Sequence, residues 1–526
     1  MEISGVLFTS VFRHRSSSQL PKKNSTTGKM STSKTRNINQ PKPKPLMKFK
    51  SKQQFFWIAI LLFSLSACYQ SKTEPLQEQA TRSETILTDY VHAPDSTFRY
   101  EIVNTVPGEE FDFLVLKMYS QHWLTKEIVN ETEWWHWVSV VVPKDTPFET
   151  GMMWIGGGST NSKMPEKPDA LILAAATNTN SIVAQIHNVP FQPLIFANDS
   201  FGERYEDAII TYGWRKFLEG GAKDEDAIWL ARLPMTKAVK LAMDAVSEVV
   251  KTNYNKNLDK YVVGGASKRG WTTWTTAAVD DRVVAIIPVV IDMLNLEPSF
   301  IHHYKNYGFW APAVDDYVRE EIFEWMGTEE FDRLLEIVEP YSYVENYDMP
   351  KLLISAAGDE FFQPDSWEFY WNDLIGEKHV QYVPNFGHDL GDSDAIPNLI
   401  SFYSSVLNNT SRPKYDWKIE GDQILMNLDS TQKPTSVKLW TAHNEVARDF
   451  RIDVFGPKWK SVDLPITANG KYAVTMETPV NGYQGSFIEV TFPGQLPFKV
   501  TTGVEVLPRT YPFEAFVPER KLAAAN

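Results

Sequence analysis

The sequence predicts an α/β protein that opens with antiparallel strands and closes with a smaller all-β region. Three observations carry this expectation. Between about residues 150 and 409, short apolar runs bounded by Gly, Asp and Pro alternate with stretches of helical periodicity, the pattern of a parallel sheet covered on both faces. Ahead of them lie β-rich runs separated by turn residues, and from Arg412 strand-like runs recur at short intervals. Hydrophobic residues make up 43% and charged residues 22%, enough to build a core, and 526 residues exceed one ordinary domain.

In chain order, residues 1–46 hold nine Lys or Arg and one Glu among many Ser, Thr, Asn and Pro, too little apolar surface to fold. Next, "MKFKSKQQFFWIAILLFSLSAC" (47–68) joins a basic start, an apolar run from Phe55 to Leu65 and small residues. The run has the length of a signal-peptide core and falls short of the roughly 20 residues that span a bilayer. Its end, Leu65-Ser66-Ala67-Cys68, resembles the lipobox of bacterial lipoproteins, whose cysteine is lipidated and becomes the new N-terminus. Cys68 is the one cysteine in the chain, so no disulfide is expected. The expectation is an exported protein held to a membrane by an N-terminal lipid, on the periplasmic or cell-surface side. Translation would begin at Met47, leaving residues 1–46 untranslated; a type II anchor with a basic cytoplasmic tail is the rival. Residues 69–86 read as a polar tether.

The main domain is expected over residues 87–411. "FRYEIVNTV", "FDFLVLKMYSQHWL" and "EWWHWVSVVVP" read as opening strands, and "TGMMWIGGGST" as an apolar strand ending in three glycines. In "EWWHW", alternation sends Trp134 and His136 to one face and Trp135 and Trp137 to the other, a packing pattern rather than a ligand set. A helix from Asp169 to Thr177, the strand "SIVAQIHNV" and a long helix from about Asp224 to Thr252 follow. After "KYVVGGA" come a helix from Lys268 and the strand "VVAIIPVVI". Residues 293–347, aromatic and irregular, read as a helical cap. "KLLISAAGD", a helix at "DSWEFYWNDL", "HVQYVPNFGH" and the helix "DAIPNLISFYSSVLNN" complete the alternation. Residues 412–526 read as a β-sandwich-like domain.

"GGASKRGW" (264–271) joins a buried strand to a helix through a tight turn that bears Ser267. This is most of a nucleophile elbow, the strained turn that lifts a serine hydroxyl clear of a sheet, although Arg269 stands where a Gly is usual and the small residue comes one place late, at Gly270. A serine needs a histidine to take its proton and a carboxylate to fix that histidine's tautomer. Asp359 closes one strand and His388 follows the next, in the chain order Ser, acid, His, at the strand ends where open α/β sheets place their sites. Glu360 and Asp292 are alternative acids. The N–H groups of Lys268, Gly157 and Gly158 are the expected oxyanion donors. An antiparallel start, alternating units and this triad order together outline the α/β-hydrolase fold.

The turn Ser267-Lys268-Arg269-Gly270 is similar to the elbow of glucuronoyl esterases, a resemblance that implies a Lys268 charge near the oxyanion and packing through Gly270, with Arg269 directed outward. At larger scale, "YVVGGASKRGWTTWTTAAVDDRVVAIIPVVIDMLN", "EWWHW", "AAGDEFFQPDS" and "NFGHDL" resemble the PhoPQ-activated pathogenicity-related protein family, over roughly residues 87–520. That resemblance implies an α/β-hydrolase-like domain with Ser267, Asp359 and His388 at its site. The expected function is a serine hydrolase that cleaves a peptide or carboxylic ester through an acyl-enzyme, with peptidase slightly preferred. The alternative is a non-catalytic exported binding protein on the same scaffold. A net charge of −14 argues against a nucleic-acid partner. No cofactor or metal is expected; the adjacent pair His302-His303 lacks metal-ligand spacing.

Overall fold

The computed structural model describes residues 84–429 and 431–520. The basic segment, the signal-like segment with Cys68 and all but the end of the tether lie outside the described residues. A nine-stranded sheet forms from β1 (Arg99–Pro107), β2 (Phe111–His122), β3 (Glu133–Pro143), β4 (Thr150–Ile155), β5 (Val183–Ile186), β6 (Lys260–Ala266), β7 (Val283–Val289), β8 (Lys351–Ala356) and β9 (Lys378–Val383). Their spatial order is β1-β2-β3-β5-β4-β6-β7-β8-β9. The first four in that order pair antiparallel, and from β5 to β9 every pairing is parallel.

The inner strands read as long apolar runs because they are buried on both faces, whereas β1 at the sheet edge is largely exposed. Successive residues alternate between two cores. On β2, Leu114, Leu116 and Met118 join one core while Phe113 and Val115 join the other; on β6, Tyr261 and Val263 are divided from Val262 and Ala266 in the same way. Helices α1 (Ile86–His92), α3 (Asp207–Glu219), α4 (Arg232–Tyr254) and α5 (Lys268–Val279) contribute to the first core. Helix α2 (Ala170–Thr179) and the later Ala395–Leu407 helix contribute to the second. The long helix begins at Arg232, after a 3₁₀ segment at Asp224–Trp229, rather than at Asp224. Pro234 explains the offset: without an N–H and with a fixed φ it fits a first turn and interrupts a helix interior.

Between β7 and β8 the chain forms α6 (Leu296–Tyr307), α7 (Asp315–Arg319), α8 (Glu329–Val338) and intervening 3₁₀ turns. The helix expected at 365–374 contracts to a 3₁₀ turn, Ser366–Phe369, where Trp367 and Trp371 pack on Trp417. After α9 (Ala395–Leu407), the C-terminal strands form two antiparallel sheets. One holds β10 (Tyr415–Glu420), β11 (Gln423–Leu428) and β14 (Lys471–Thr475). The other holds β12 (Ser436–Asn444), β13 (Lys460–Asp463), β15 (Tyr483–Phe492), β16 (Phe498–Thr501) and β17 (Glu505–Leu507). Helix α10 (Ile452–Phe455) is a single turn on the way.

The C-terminal sheets grip the main one. Tyr382 of β9 donates its N–H to Thr501 Oγ1, Asn398 exchanges hydrogen bonds with the Lys499 backbone, and Trp367 Nε1 donates to the Val504 carbonyl. All described residues belong to one compact unit. No helix among them is long and apolar enough to cross a membrane.

Candidate active site

Ser267 sits between β6 and α5 with φ 60° and ψ −128°, a conformation that non-glycine residues rarely adopt. Its N–H donates to the Val289 carbonyl at 2.8 Å, tying the turn to β7. Two glycines make the turn feasible. A Cβ at Gly265 would lie 2.8 Å from the Arg269 carbonyl oxygen, and one at Gly270 would lie 2.7 Å from Ile291. Gly270 therefore permits the close packing that the usual elbow assigns to the residue before it. The Lys268 amide opens α5 and so has no acceptor within its helix, which leaves it free for an incoming oxyanion.

Asp359 and His388 come together past the ends of β8 and β9. His388 Nδ1 lies 2.9 Å from Asp359 Oδ2 and 3.0 Å from Oδ1, and the Phe361 amide donates to Oδ1 at 2.8 Å. Asp359 is buried. Of the alternative acids, Glu360 turns away from the imidazole and accepts the His388 backbone N–H at 2.8 Å. Burial, reinforced by the neighbouring Asp359 charge, raises its pKa. Asp292 accepts from the Tyr370 and Tyr382 hydroxyls at 2.5 and 2.6 Å, and burial raises it to about 7.

Phe361 and Phe362 link the two halves. Their rings lie 4.4 and 6.0 Å from the His388 ring, and the same residues line a cavity of about 30 Å³ with Ser267 and Lys268. Trp214, Trp271, Met293 and Phe300 supply further apolar wall, while Asp207, Arg232 and Tyr317 make it partly polar. Lys268 Nζ pairs with Glu206 at 3.2 Å and Asp207 at 3.0 Å, and Arg269 Nη2 pairs with Glu206 at 2.5 Å. Burial would raise the Glu206 pKa, yet the Arg269 and Lys268 charges outweigh it and bring it to about 2. Arg269 is thus directed to a carboxylate of the protein itself.

The glycine loop lies against this pair. A Cβ at Gly157 would be 2.8 Å from the Arg269 guanidinium, and Gly158 has φ +130°. The Gly157 and Gly158 carbonyls accept from the Asn188 N–H and from Gln192 Nε2, which orients the loop. In "EWWHW", Trp134 and His136 are buried and Trp135 and Trp137 half-buried. His136 bonds Ser120 and the His187 carbonyl, and burial lowers its pKa to about 4, which keeps it neutral.

Among the described residues, one further group has the donors a metal would use: His302, Asp365 and Glu368. It is a poor cation site, because the Arg448 guanidinium is bonded directly to Asp365. Sequence reading missed Glu206, Asp207, Arg232 and Tyr317, which reach the site from separate elements with no shared spacing. Phe361 and Phe362 had a signal, standing directly after the acid in "GDEFF".

The chain is 36% identical over 458 residues to "Autocrine proliferation repressor protein A" of Dictyostelium discoideum, covering 82% of this chain and 92% of that protein. Among solved structures, acetyl xylan esterase 1 of a Thermoanaerobacterium species is 13% identical with a TM-score of 0.42, over 61% of this chain and 91% of that one. An acylaminoacyl peptidase of Pyrococcus horikoshii is 11% identical with a TM-score of 0.35, over 60% and 50%. The profile of the PhoPQ-activated pathogenicity-related proteins matches residues 87–451, and the chain belongs to that family.

Proposed function

We propose that the protein is a serine hydrolase in which Ser267 attacks an acyl carbon, His388 takes its proton and returns it to the leaving group, and Asp359 orients the imidazole. The observation that carries this is the hydrogen bond from His388 Nδ1 to the buried Asp359, beside phenylalanines that share a cavity with the strained Ser267. With Nδ1 donating to the carboxylate, Nε2 is the basic nitrogen, as a general base requires. The Lys268 amide and the Gly157–Gly158 loop would hold the oxyanion. Water then releases the acyl-enzyme. A cavity this small suits a short acyl group in an ester or a peptide. The proposal includes export and a lipid on Cys68 that holds the enzyme at a membrane.

The amoebal relative's name favours a second reading, a regulatory protein that keeps the hydrolase scaffold without its chemistry. One experiment separates the two. A fluorophosphonate probe applied to protein beginning after Cys68 should label the wild type and leave Ser267→Ala unlabelled. A folded wild type that resists labelling would sink the hydrolase reading.

A further inference from the structure

The cavity behind Ser267 has an excess of positive charge. Two cations, Lys268 and Arg232, and one carboxylate, Asp207, line it; Lys268 pairs with Asp207 at 3.0 Å, and Arg232 forms no ion pair of its own among the described residues, feeling only the shared Asp207 charge and the Tyr317 hydroxyl. Asp316, the next nearby acid, is engaged by Arg319 at 2.5 Å. Arg232 is 2% exposed. Its Nη1 donates to the Lys268 carbonyl at 2.9 Å, its guanidinium lies 4.4 Å from the Trp271 ring centroid, and its Nε has no partner among the described residues. A buried guanidinium that shares its nearest carboxylate with a lysine is costly unless something that enters the site neutralises it.

The backbone adds to this charge. Asp207, Arg232 and Lys268 are the first residues of α3, α4 and α5, helices of 13, 23 and 12 residues, and all three line the cavity. Three helix N-termini therefore converge on one small space, each bringing the positive end of its dipole. An ammonium group would be matched by Asp207 alone, and Asp207 is already held by Lys268. An anion meets the unmatched charge.

We propose that this cavity is a recognition pocket for a short acyl group that ends in a carboxylate, with Arg232 as the residue that binds that carboxylate. The apolar walls hold the intervening carbons, and the volume limits the chain to a few atoms. The substrate class is then half-esters, or the corresponding amides, of short dicarboxylic acids. This rests on the serine-hydrolase reading.

The test uses two esters with the same leaving group, p-nitrophenyl hemisuccinate and p-nitrophenyl butyrate, on the wild type, Arg232→Met and Arg232→Lys. Wild type should prefer the hemisuccinate by tenfold or more in kcat/KM, and Arg232→Met should erase that preference, because an unpaired carboxylate is excluded from an apolar site. Arg232→Lys should retain part of it. Should Arg232→Met fail to fold, the wild-type preference and the lysine variant decide. Wild type that hydrolyses butyrate at least as well as hemisuccinate overturns the pocket while leaving the hydrolase intact. Failure of the hydrolase reading looks different: no probe labelling and no turnover of either ester. Binding of succinate to Ser267→Ala by calorimetry, lost in the double variant with Arg232→Met, gives a readout independent of turnover.

Discussion

At the scale of single residues, two adjacent carboxylates near His388 have different roles, and substitution separates them. Asp359 faces the imidazole, whereas Glu360 accepts a backbone N–H from the histidine's own loop. Asp359→Asn keeps the size but can hold the wrong tautomer, so kcat should fall about 10⁴-fold with little change in stability. Glu360→Gln preserves an acceptor for the loop, and its loss of rate should be far smaller. Hydrolysis of an activated ester by both variants checks this; equal losses would mean that the acid has been misassigned. The elbow shows why local reading of the sequence succeeds here. A strained turn demands glycine at fixed distances from the serine, and Gly265 and Gly270 are visible as letters. The charges around Lys268 were not, since Glu206, Asp207 and Arg232 meet only when three helices converge.

At the scale of elements, the loops bearing Asp359 and His388 are braced from outside the main sheet. A Cβ at Gly358 would lie 2.8 Å from the Phe386 carbonyl oxygen and 3.3 Å from both Ile452 and the Phe450 carbonyl oxygen; one at Gly387 would lie 2.6 Å from Ile452 and from Glu360. Ile452 also donates its N–H to the Gly358 carbonyl at 2.8 Å. One residue of the C-terminal region thus fills the space beside both loops. Gly358→Ala must push backbone aside. It should cost about 1–3 kcal/mol of stability and lower kcat more than it raises KM, because it displaces the acid rather than the substrate. Thermal melting and steady-state kinetics test this, and an unchanged kcat would remove the bracing role. The parallel strands were legible because burial on both faces leaves long apolar runs. This contact was not, since it depends on where two turns approach a third, and the helix at 365–374 failed because tryptophan packing outweighed local periodicity.

At the scale of the whole molecule, burial of acids ties stability to pH. Asp292 lies under the site between Tyr370 and Tyr382, and burial, with the charges of Asp359 and Asp365, raises it from 3.8 to about 7. Burial likewise raises Glu339, near the start of α6, from 4.5 to about 7, against hydrogen bonds from the Leu296 and Asn295 backbone. For each, the folded state holds its proton at pH values where the unfolded chain has lost it. Their stabilising contribution is therefore complete below about pH 4 and is lost as pH rises through 7. Glu206 has the opposite sign: depressed to about 2, it stabilises above its ordinary 4.5 and is lost as pH falls through 2, outside the same window. Across pH 5 to 8 these two acids therefore pull the melting temperature down, against buried neutral His136, whose contribution grows up to its ordinary 6.5. In Asp292→Asn, which cannot ionise, the downward pull should be smaller, with Glu339 supplying what remains of it. The proton on Asp292 also spares the site a second negative charge near Asp359, so this variant should retain probe labelling of Ser267. Parallel melting curves for wild type and Asp292→Asn across that range would show that Asp292 keeps an ordinary pKa in the fold.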